Sequence, residues 1–168
     1  MILKNLYKTA LLLLVVLFSC KTKVAEKEYI RTGYFRTDEI RNEKSNFPWF
    51  SERYENYTPE ENVISRLKMT DKNLTFLIFA GEWCSDTRKL LPEYYKVTDM
   101  AGIVNQQLYF LDRNKQSPDK LEKSYNITLV PTFIVIKNGK EIGRIEESVD
   151  SNIETELLEI ILSEENNN

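Results

Sequence analysis

The sequence predicts a single α/β domain of three layers, in which a mixed central sheet of about four strands is flanked by helices. Three observations lead to this fold class. The continuous apolar run from Leu74 to Ala80 is typical of a strand covered on both faces. Strand and helix signals then alternate, which implies parallel pairing of successive strands. The Asn138-Gly139 pair predicts a closing hairpin that adds an antiparallel edge.

Each further element has its own local signal. Thr58, Pro59 and Glu61 have the spacing of a capping box with proline at the first helical position, so a helix should start there with Thr58 as its cap. Pro92 should bend the helix that contains it. The other predicted elements are a helix over 85–100, a strand over 108–111, a helix over 117–126, strands over 132–136 and 141–145, and a helix over 151–162.

The first 19 residues resemble an export signal. Lys4 and Lys8 precede an uncharged apolar stretch, 9–18, that is too short to span a bilayer comfortably. A small residue stands before Cys20, as in a bacterial lipobox. We therefore predict that residues 1–19 are a lipoprotein signal peptide and that Cys20 is the lipidated start of the mature chain. A plain signal peptide and a short anchor helix are the alternatives.

This interpretation sets the expected location of the protein. The chain would lie in the bacterial cell envelope, with its domain in the periplasm and its membrane attachment through the lipid. Lys21, which follows the lipidated cysteine, does not resemble an inner-membrane retention signal. The outer membrane is therefore favoured over the inner one.

The mature chain divides into four predicted segments. Residues 20–45 are polar with few aliphatic side chains, which predicts a tether, and the alternative is a tether with local structure around Tyr29-Ile30 and Tyr34-Phe35. Residues 46–58 are dense in aromatic side chains. We favour an extension packed on the domain surface, and the alternative is one wall of a peptide groove. The domain itself covers residues 59–163, and residues 164–168 are predicted to be a disordered tail.

The composition restricts the chemistry that this chain can perform. Its 168 residues include no histidine, which excludes Ser-His-Asp catalysis, Cys-His catalysis and histidine metal ligands. The formal net charge of −3 argues against a nucleic acid as partner. With Cys20 acylated, Cys84 is the only free thiol. We expect no intramolecular disulfide, no metal site and no cofactor.

Cys84 lies where the chain should pass from a strand into a helix. The first N–H groups of a helix, together with its dipole, favour a thiolate at such a position. Cys84 is therefore the candidate nucleophile. The alternative is an inert core cysteine, since free cysteines are often buried.

Four features of the predicted domain occur in the order and spacing found in thioredoxins. They are the Trp83-Cys84 pair, Pro92 eight residues after the cysteine, the Val130-Pro131-Thr132 segment, and the hairpin sequence from Phe133 to Lys140. Over residues 59–163 the chain therefore resembles the thioredoxin family, and most closely its subset with a Trp-Cys-x-Asp motif. The resemblance implies that Cys84 is a nucleophile for thiol–disulfide exchange. It also implies that Pro131 is cis and that the Val130 backbone lies beside the sulfur, where an extended substrate can pair.

The sequence departs from the thioredoxin pattern at three positions. Thr87 replaces the resolving cysteine, Ile78 replaces a buried aspartate, and Glu147 replaces a late glycine near the groove. Cys84 alone can form a mixed disulfide, but product release then needs an external thiol. We expect the Thr87 hydroxyl to hydrogen-bond the sulfur and Asp86 to oppose the thiolate electrostatically.

The predicted function is that of a membrane-anchored monothiol exchanger that acts on protein or small thiol and disulfide substrates with an external reductant. Whether the protein is an enzyme stays open at this point. The alternative is a non-catalytic binding module that kept the fold and the groove. The resemblance assigns a catalytic group, Cys84, Thr87 and Pro131, and a substrate-binding group, Trp83, Ser85, Asp86 and Val130.

Overall fold

The structure is a computed structural model that describes residues 30–42, 47–70 and 73–165. Within these residues the strands are β1 (Gly33–Phe35), β2 (Leu74–Ala80), β3 (Gln106–Phe110), β4 (Thr132–Lys137) and β5 (Lys140–Glu146). The helices of the same residues are α1 (Thr37–Asn42), α2 (Pro48–Asn56), α3 (Glu61–Leu67), α4 (Ser85–Ala101), α5 (Leu121–Ser124) and α6 (Ile153–Glu165). The predicted signal peptide and Cys20 lie outside the described residues.

The strands form one mixed sheet in the order β1-β3-β2-β4-β5. β2 and β3 run parallel, whereas β4 is antiparallel to β2, β5 to β4, and β1 to β3. The predicted α/β class and mixed sheet are confirmed, but the described part of the sheet has five strands rather than about four. The additional strand is β1, whose three residues are too few to produce a recognisable alternation of apolar and polar side chains.

β2 is buried on both faces because its side chains alternate between two apolar clusters. Phe76 and Ile78 belong to the larger cluster, to which α4 and α6 contribute their apolar faces. Leu77 and Phe79 belong to a smaller cluster on the other face of the sheet. Cys84 lies at the border of this smaller cluster, just beyond the carboxyl end of β2.

Part of the predicted tether is folded. Residues 33–42 form β1 and α1, so the assignment of these residues to the tether is wrong. Phe35 packs edge-on against Phe47 and Phe110, and Ile40 is fully buried. A few well-placed apolar side chains are enough to order a segment that is otherwise polar.

The aromatic segment contributes to the core itself. Phe47 and Phe50 are buried members of the larger cluster, and Phe47 stacks on Phe110 of β3. The Phe50 ring lies 5.8 Å from that of Tyr95 in α4. The extension is therefore part of the hydrophobic core and does not only pack on the domain surface.

The start of α3 differs from the prediction. The helix begins at Glu61, and among the described residues no side-chain hydrogen bond of the cap residue, Glu60, closes its first turn. The Glu60 N–H instead donates to Glu154 Oε1 of α6 at 3.0 Å. A tertiary contact thus replaces the local cap that was predicted for Thr58.

Two other helices have different lengths from those predicted. α5 is much shorter than the expected helix over 117–126, because Lys120 adopts a left-handed backbone with φ of 57° immediately before it. α6 continues to Glu165, into the segment predicted to be disordered. In the described part of the chain, no helix has the length and apolar character that crossing a membrane requires.

Candidate functional site

The site is built around the turn that joins β2 to α4. Cys84 is the N-cap residue of α4 and is partly buried. Its N–H donates to the Gly81 carbonyl at 2.9 Å, and its own carbonyl accepts the Arg88 N–H at 3.1 Å. These two main-chain bonds place the cysteine at the very start of the helix.

The sulfur of Cys84 faces acceptors rather than donors. Its Sγ lies 3.2 Å from the Val130 carbonyl oxygen and 3.8 Å from Asp86 Oδ2. Among the described residues, no side-chain capping bond links the sulfur to a helix N–H. The helix N–H groups therefore do not hydrogen-bond the sulfur as expected, and the single thiol hydrogen can be donated to either of these two acceptors.

Thr87 supports the turn instead of the sulfur. Its side chain is fully buried, and its Oγ1 accepts the Gly81 N–H at 3.2 Å. The described residues include no hydrogen bond from Thr87 to Cys84 Sγ, which corrects the predicted contact. Thr87 therefore acts on the thiol through the backbone that carries it.

Trp83 is fixed from three sides. Its Nε1 donates to the Leu111 carbonyl at 3.0 Å, and the guanidinium of Arg113 lies 5.7 Å from the centre of its ring. A Cβ at Gly81 would stand 2.7 Å from the indole, so a residue without a side chain is required there. The half-buried indole thus forms a rigid wall beside Cys84.

The Val130–Pro131 peptide bond is cis, as the resemblance implied. The Pro131 carbonyl accepts the N–H of Glu147 at 2.7 Å. Glu147 has a left-handed backbone with φ of 63°, a conformation that glycine adopts without strain. This explains physically why the family has a glycine where this chain has Glu147.

Comparison with known protein families agrees with this geometry. The family model described as Thioredoxin matches residues 57–161, which is well over half of the chain. The chain belongs to the thioredoxin family. This assignment rests on the match over residues 57–161. It does not rest on the two-cysteine motif of the family, because Cys84 is the only cysteine of that motif in this chain.

Individual members of the thioredoxin family are distant relatives. Thioredoxin H2 of Arabidopsis thaliana is 32% identical over 81 residues, which cover 48% of this chain and 57% of the relative. A thioredoxin of Echinococcus granulosus is 30% identical over 67 residues, covering 40% and 59%. The chain therefore spans just over half the length of each of these curated relatives.

A solved structure shares the fold. A Pseudomonas aeruginosa protein of unknown function superposes with a TM-score of 0.57 at 14% identity, covering 79% of this chain and 93% of that one. At this identity the likeness concerns the fold alone.

A feature that the sequence did not reveal is an arginine beside the active-site turn of this thioredoxin-family chain. Glu82 accepts both the main-chain N–H of Arg31 at 2.9 Å and its Nη1 at 2.7 Å. Arg31 also lies over the Phe47 ring, 4.6 Å from its centre. The two residues are 51 positions apart, so no local pattern could have linked them.

The remaining predicted site residues are placed as follows. Ser85 is the exposed first residue of α4, and Ile78 is buried in the larger cluster between β3 and β4. Cys84, Asp86, Val130 and Pro131 are brought together, while Trp83 flanks them. Within the described residues, no group of three or more Cys, Asp or Glu side chains could hold a metal ion.

Proposed function

We propose that this protein is a monothiol thiol–disulfide exchanger of the bacterial cell envelope, anchored through a lipid on Cys20. The observation that carries the proposal is the position of Cys84. Its partly buried sulfur stands at the start of α4 and faces the loop of the cis Val130–Pro131 bond. In this arrangement the Cys84 thiolate can attack a disulfide whose chain lies along the Val130–Pro131 loop.

The exchange begins when the Cys84 thiol loses its proton. The thiolate attacks one sulfur of a substrate disulfide, so that a new S–S bond forms to Cys84 and the other substrate sulfur leaves as a thiolate that takes up a proton. The sequence contains only one other cysteine, Cys20. An external thiol must therefore break the mixed disulfide.

The surroundings of Cys84 suit an extended substrate. Deprotonation frees the Val130 carbonyl, which accepts the thiol hydrogen bond in the resting state, so that it can pair with a substrate N–H. Trp83 offers an apolar wall, and the exposed Ser85 and Asp86 Oδ2 offer polar contacts at the rim. Protein or small-molecule disulfides are the proposed substrates.

Trapping experiments test the exchange. We expect Cys84 to be recovered from the cell envelope in mixed disulfides, and its rate of alkylation to depend on pH differently from that of an unstructured thiol. Alkylation should be followed from pH 5 to pH 10 by mass spectrometry, with a short unfolded cysteine peptide as reference. A profile identical to that of the peptide, together with no trapped partner, would falsify the proposal.

The anchor is tested separately. Wild-type protein labelled in cells with an alkyne fatty acid should carry the label and sediment with membranes, whereas a Cys20→Ala variant should lose the label. A Cys84→Ala variant is the matched control and should keep it. A wild-type chain without label argues against lipid attachment, whatever the result at Cys84.

The second candidate function is a binding module without redox turnover. The contacts of Cys84 Sγ to the Val130 carbonyl and to Asp86 favour it, since both neighbours are hydrogen-bond acceptors that can hold the side chain in place. A Cys84→Ser variant separates the two functions, because serine keeps a donor for either acceptor. Partner binding that survives this change supports the module, and binding that is lost with the sulfur supports the exchanger.

A further inference from the structure

A cleft of about 400 Å³ lies between α2 and the first turns of α4. The N-terminal extension creates it, because one of its two walls belongs to α2. The residues that line the cleft are Trp49, Glu52, Arg53 and Asn56 of α2 and Arg88 and Lys89 of α4.

The cleft opens beside the residues that flank the thiol. Arg88 stands one helical turn after Cys84, and its N–H donates to the Cys84 carbonyl at 3.1 Å. Cys84 and Arg88 are therefore roughly 6 Å apart along the helix axis, since an α-helix rises about 1.5 Å per residue. The Arg88 Nε donates to the carbonyl of Glu82, two residues before the cysteine, at 2.6 Å. The cleft and Cys84 therefore share the N-terminal turns of α4.

The charges around the cleft favour an anion. Lys89 is exposed and forms no ion pair with any residue of the described chain. Arg88 bonds to a neutral carbonyl, so its positive charge is not compensated there. Arg53 is paired with the buried Glu93, and Glu52 is the single acid among the lining residues.

We propose that this cleft binds the carboxylate groups of the low-molecular-weight thiol that releases Cys84 from its mixed disulfide. The inference rests on the proposed monothiol exchange. It adds a binding site for the external thiol and specifies that this thiol is negatively charged. The volume falls within the range of small-molecule sites, about 300–1,000 Å³. Asn56 and Glu52 can bind amide or ammonium groups, so the ligand class is an amino-acid-like or short peptide thiol.

Two molecules of the small thiol are consumed in each cycle. The thiolate of the first attacks the Cys84 sulfur, so that a new S–S bond joins Cys84 to the small thiol and the substrate sulfur leaves as a thiolate and takes a proton. The thiolate of the second attacks the sulfur of the first, which forms the small-molecule disulfide and frees Cys84. The substrate disulfide is reduced to two thiols, and the two small thiols are oxidised.

The test measures how fast different thiols attack a mixed disulfide of Cys84 and displace its leaving group. In a full chain carrying Cys20→Ser, Cys84 is converted to its 2-pyridyl mixed disulfide, whose pyridyl leaving group is uncharged. Mercaptosuccinate, 2-mercaptoethanol and cysteamine then supply anionic, neutral and cationic thiols, and rates are compared per thiolate. We expect mercaptosuccinate to react about two- to five-fold faster than 2-mercaptoethanol, with an advantage that added salt reduces. The net charge of −3 alone would produce the opposite order.

A matched pair of variants locates the effect. Lys89→Gln should remove most of the mercaptosuccinate advantage, because it should slow mercaptosuccinate more than 2-mercaptoethanol. Lys140→Gln removes the same charge at the opposite end of the sheet, where β5 begins, and should leave the advantage intact.

The outcomes separate this inference from the proposed function. If all three thiols displace the pyridyl group but mercaptosuccinate has no advantage, or if both lysine variants behave alike, the cleft assignment is wrong while monothiol exchange stands. If Cys84 forms no pyridyl disulfide, or if none of the thiols displaces the pyridyl group, the proposed exchange fails and the cleft assignment fails with it.

Discussion

Thr87 stands where a dithiol member of the family would carry its second cysteine, yet its role here is to hold the backbone. Its buried Oγ1 accepts the Gly81 N–H. Thr87→Val removes this acceptor with little change of volume. An unpaired buried N–H costs about 1–3 kcal/mol, so the free energy of unfolding in urea should fall by that amount.

The control for this variant is Thr128→Val, because Thr128 is exposed. It should change the free energy of unfolding by no more than about 0.5 kcal/mol. Equal stability of the Thr87 and Thr128 variants would contradict the role assigned to Thr87.

Tyr94 and Tyr95 are a second feature at the residue scale. Both are fully buried in the larger cluster, and their hydroxyl groups find no hydrogen-bond partner in the described part of the chain. Burial raises the pKa of both phenols above the ordinary value of 10.0. Their folded-state pKa values exceed the unfolded ones, so their stabilising contribution is complete below about pH 10 and declines as the pH rises further.

Tyr95→Phe should therefore flatten the loss of stability above pH 10. At neutral pH it should leave stability equal or higher, since it removes an unpaired buried hydroxyl group. Urea unfolding at pH 7 and pH 10.5 measures both effects. The wild-type protein is the reference for both measurements. Identical pH dependence in the wild-type protein and in Tyr95→Phe would rule out Tyr95 as a source of the decline.

At the scale of elements, the N-terminal segments are joined to α4 and its preceding turn by ion pairs. Arg31 bonds Glu82, Arg41 bonds Asp99 at 2.7 Å, and Arg53 bonds Glu93. The Arg31–Glu82 pair is the one beside the thiol, and its side chains are only 23% and 13% exposed. This contact couples the extension to the active-site turn.

Arg31→Gln should leave a largely buried carboxylate without its guanidinium. We expect a loss of about 1–3 kcal/mol of unfolding free energy. Arg36→Gln breaks an exposed pair whose side chains are 65% and 54% accessible, and it should not alter the free energy of unfolding measurably. Equal stability of the Arg31 and Arg36 variants would contradict the role assigned to the Arg31–Glu82 pair.

The elements also show what the sequence could and could not predict. β2, α4 and the β4–β5 hairpin were placed within about two residues, because long apolar runs, a proline and an Asn-Gly turn are local signals. The sequence indicates local structure around Tyr34 and Phe35 but does not identify β1 as a strand, because β1 has three residues and is ordered by packing of Phe35 on Phe110. The Arg31–Glu82 pair and the Thr87–Gly81 bond were missed because tertiary geometry alone decides which partner a polar side chain meets.

At the scale of the whole molecule, the core is larger than the family domain. The family match begins at residue 57, whereas the buried Phe47 and Phe50 precede it. Burying two such side chains stabilises a fold by about 3–6 kcal/mol, a large part of the 5–15 kcal/mol typical of a domain. A chain cut to residues 57–165 should therefore lose its near-ultraviolet circular dichroism and bind a hydrophobic dye.

The matched control is a chain that begins at residue 30, which retains every described element. It should keep the cooperative unfolding of the full chain. If the shorter chain over 57–165 unfolds with the same midpoint, the extension is dispensable and the larger core is not needed for stability.

The direction of β1 decides where the polypeptide enters the domain. Because β1 runs antiparallel to β3, Gly33 pairs with Phe110 at the edge of the sheet where β2 and β3 end, and Arg31 meets Glu82 in the turn that carries Cys84. Whatever precedes residue 30 is thus joined to the molecule at the same pole as the thiol. Ten residues span at most about 35 Å. A lipid at Cys20 would therefore hold the chain by its reactive end, and the disulfides within its reach would be those that lie close to the membrane surface.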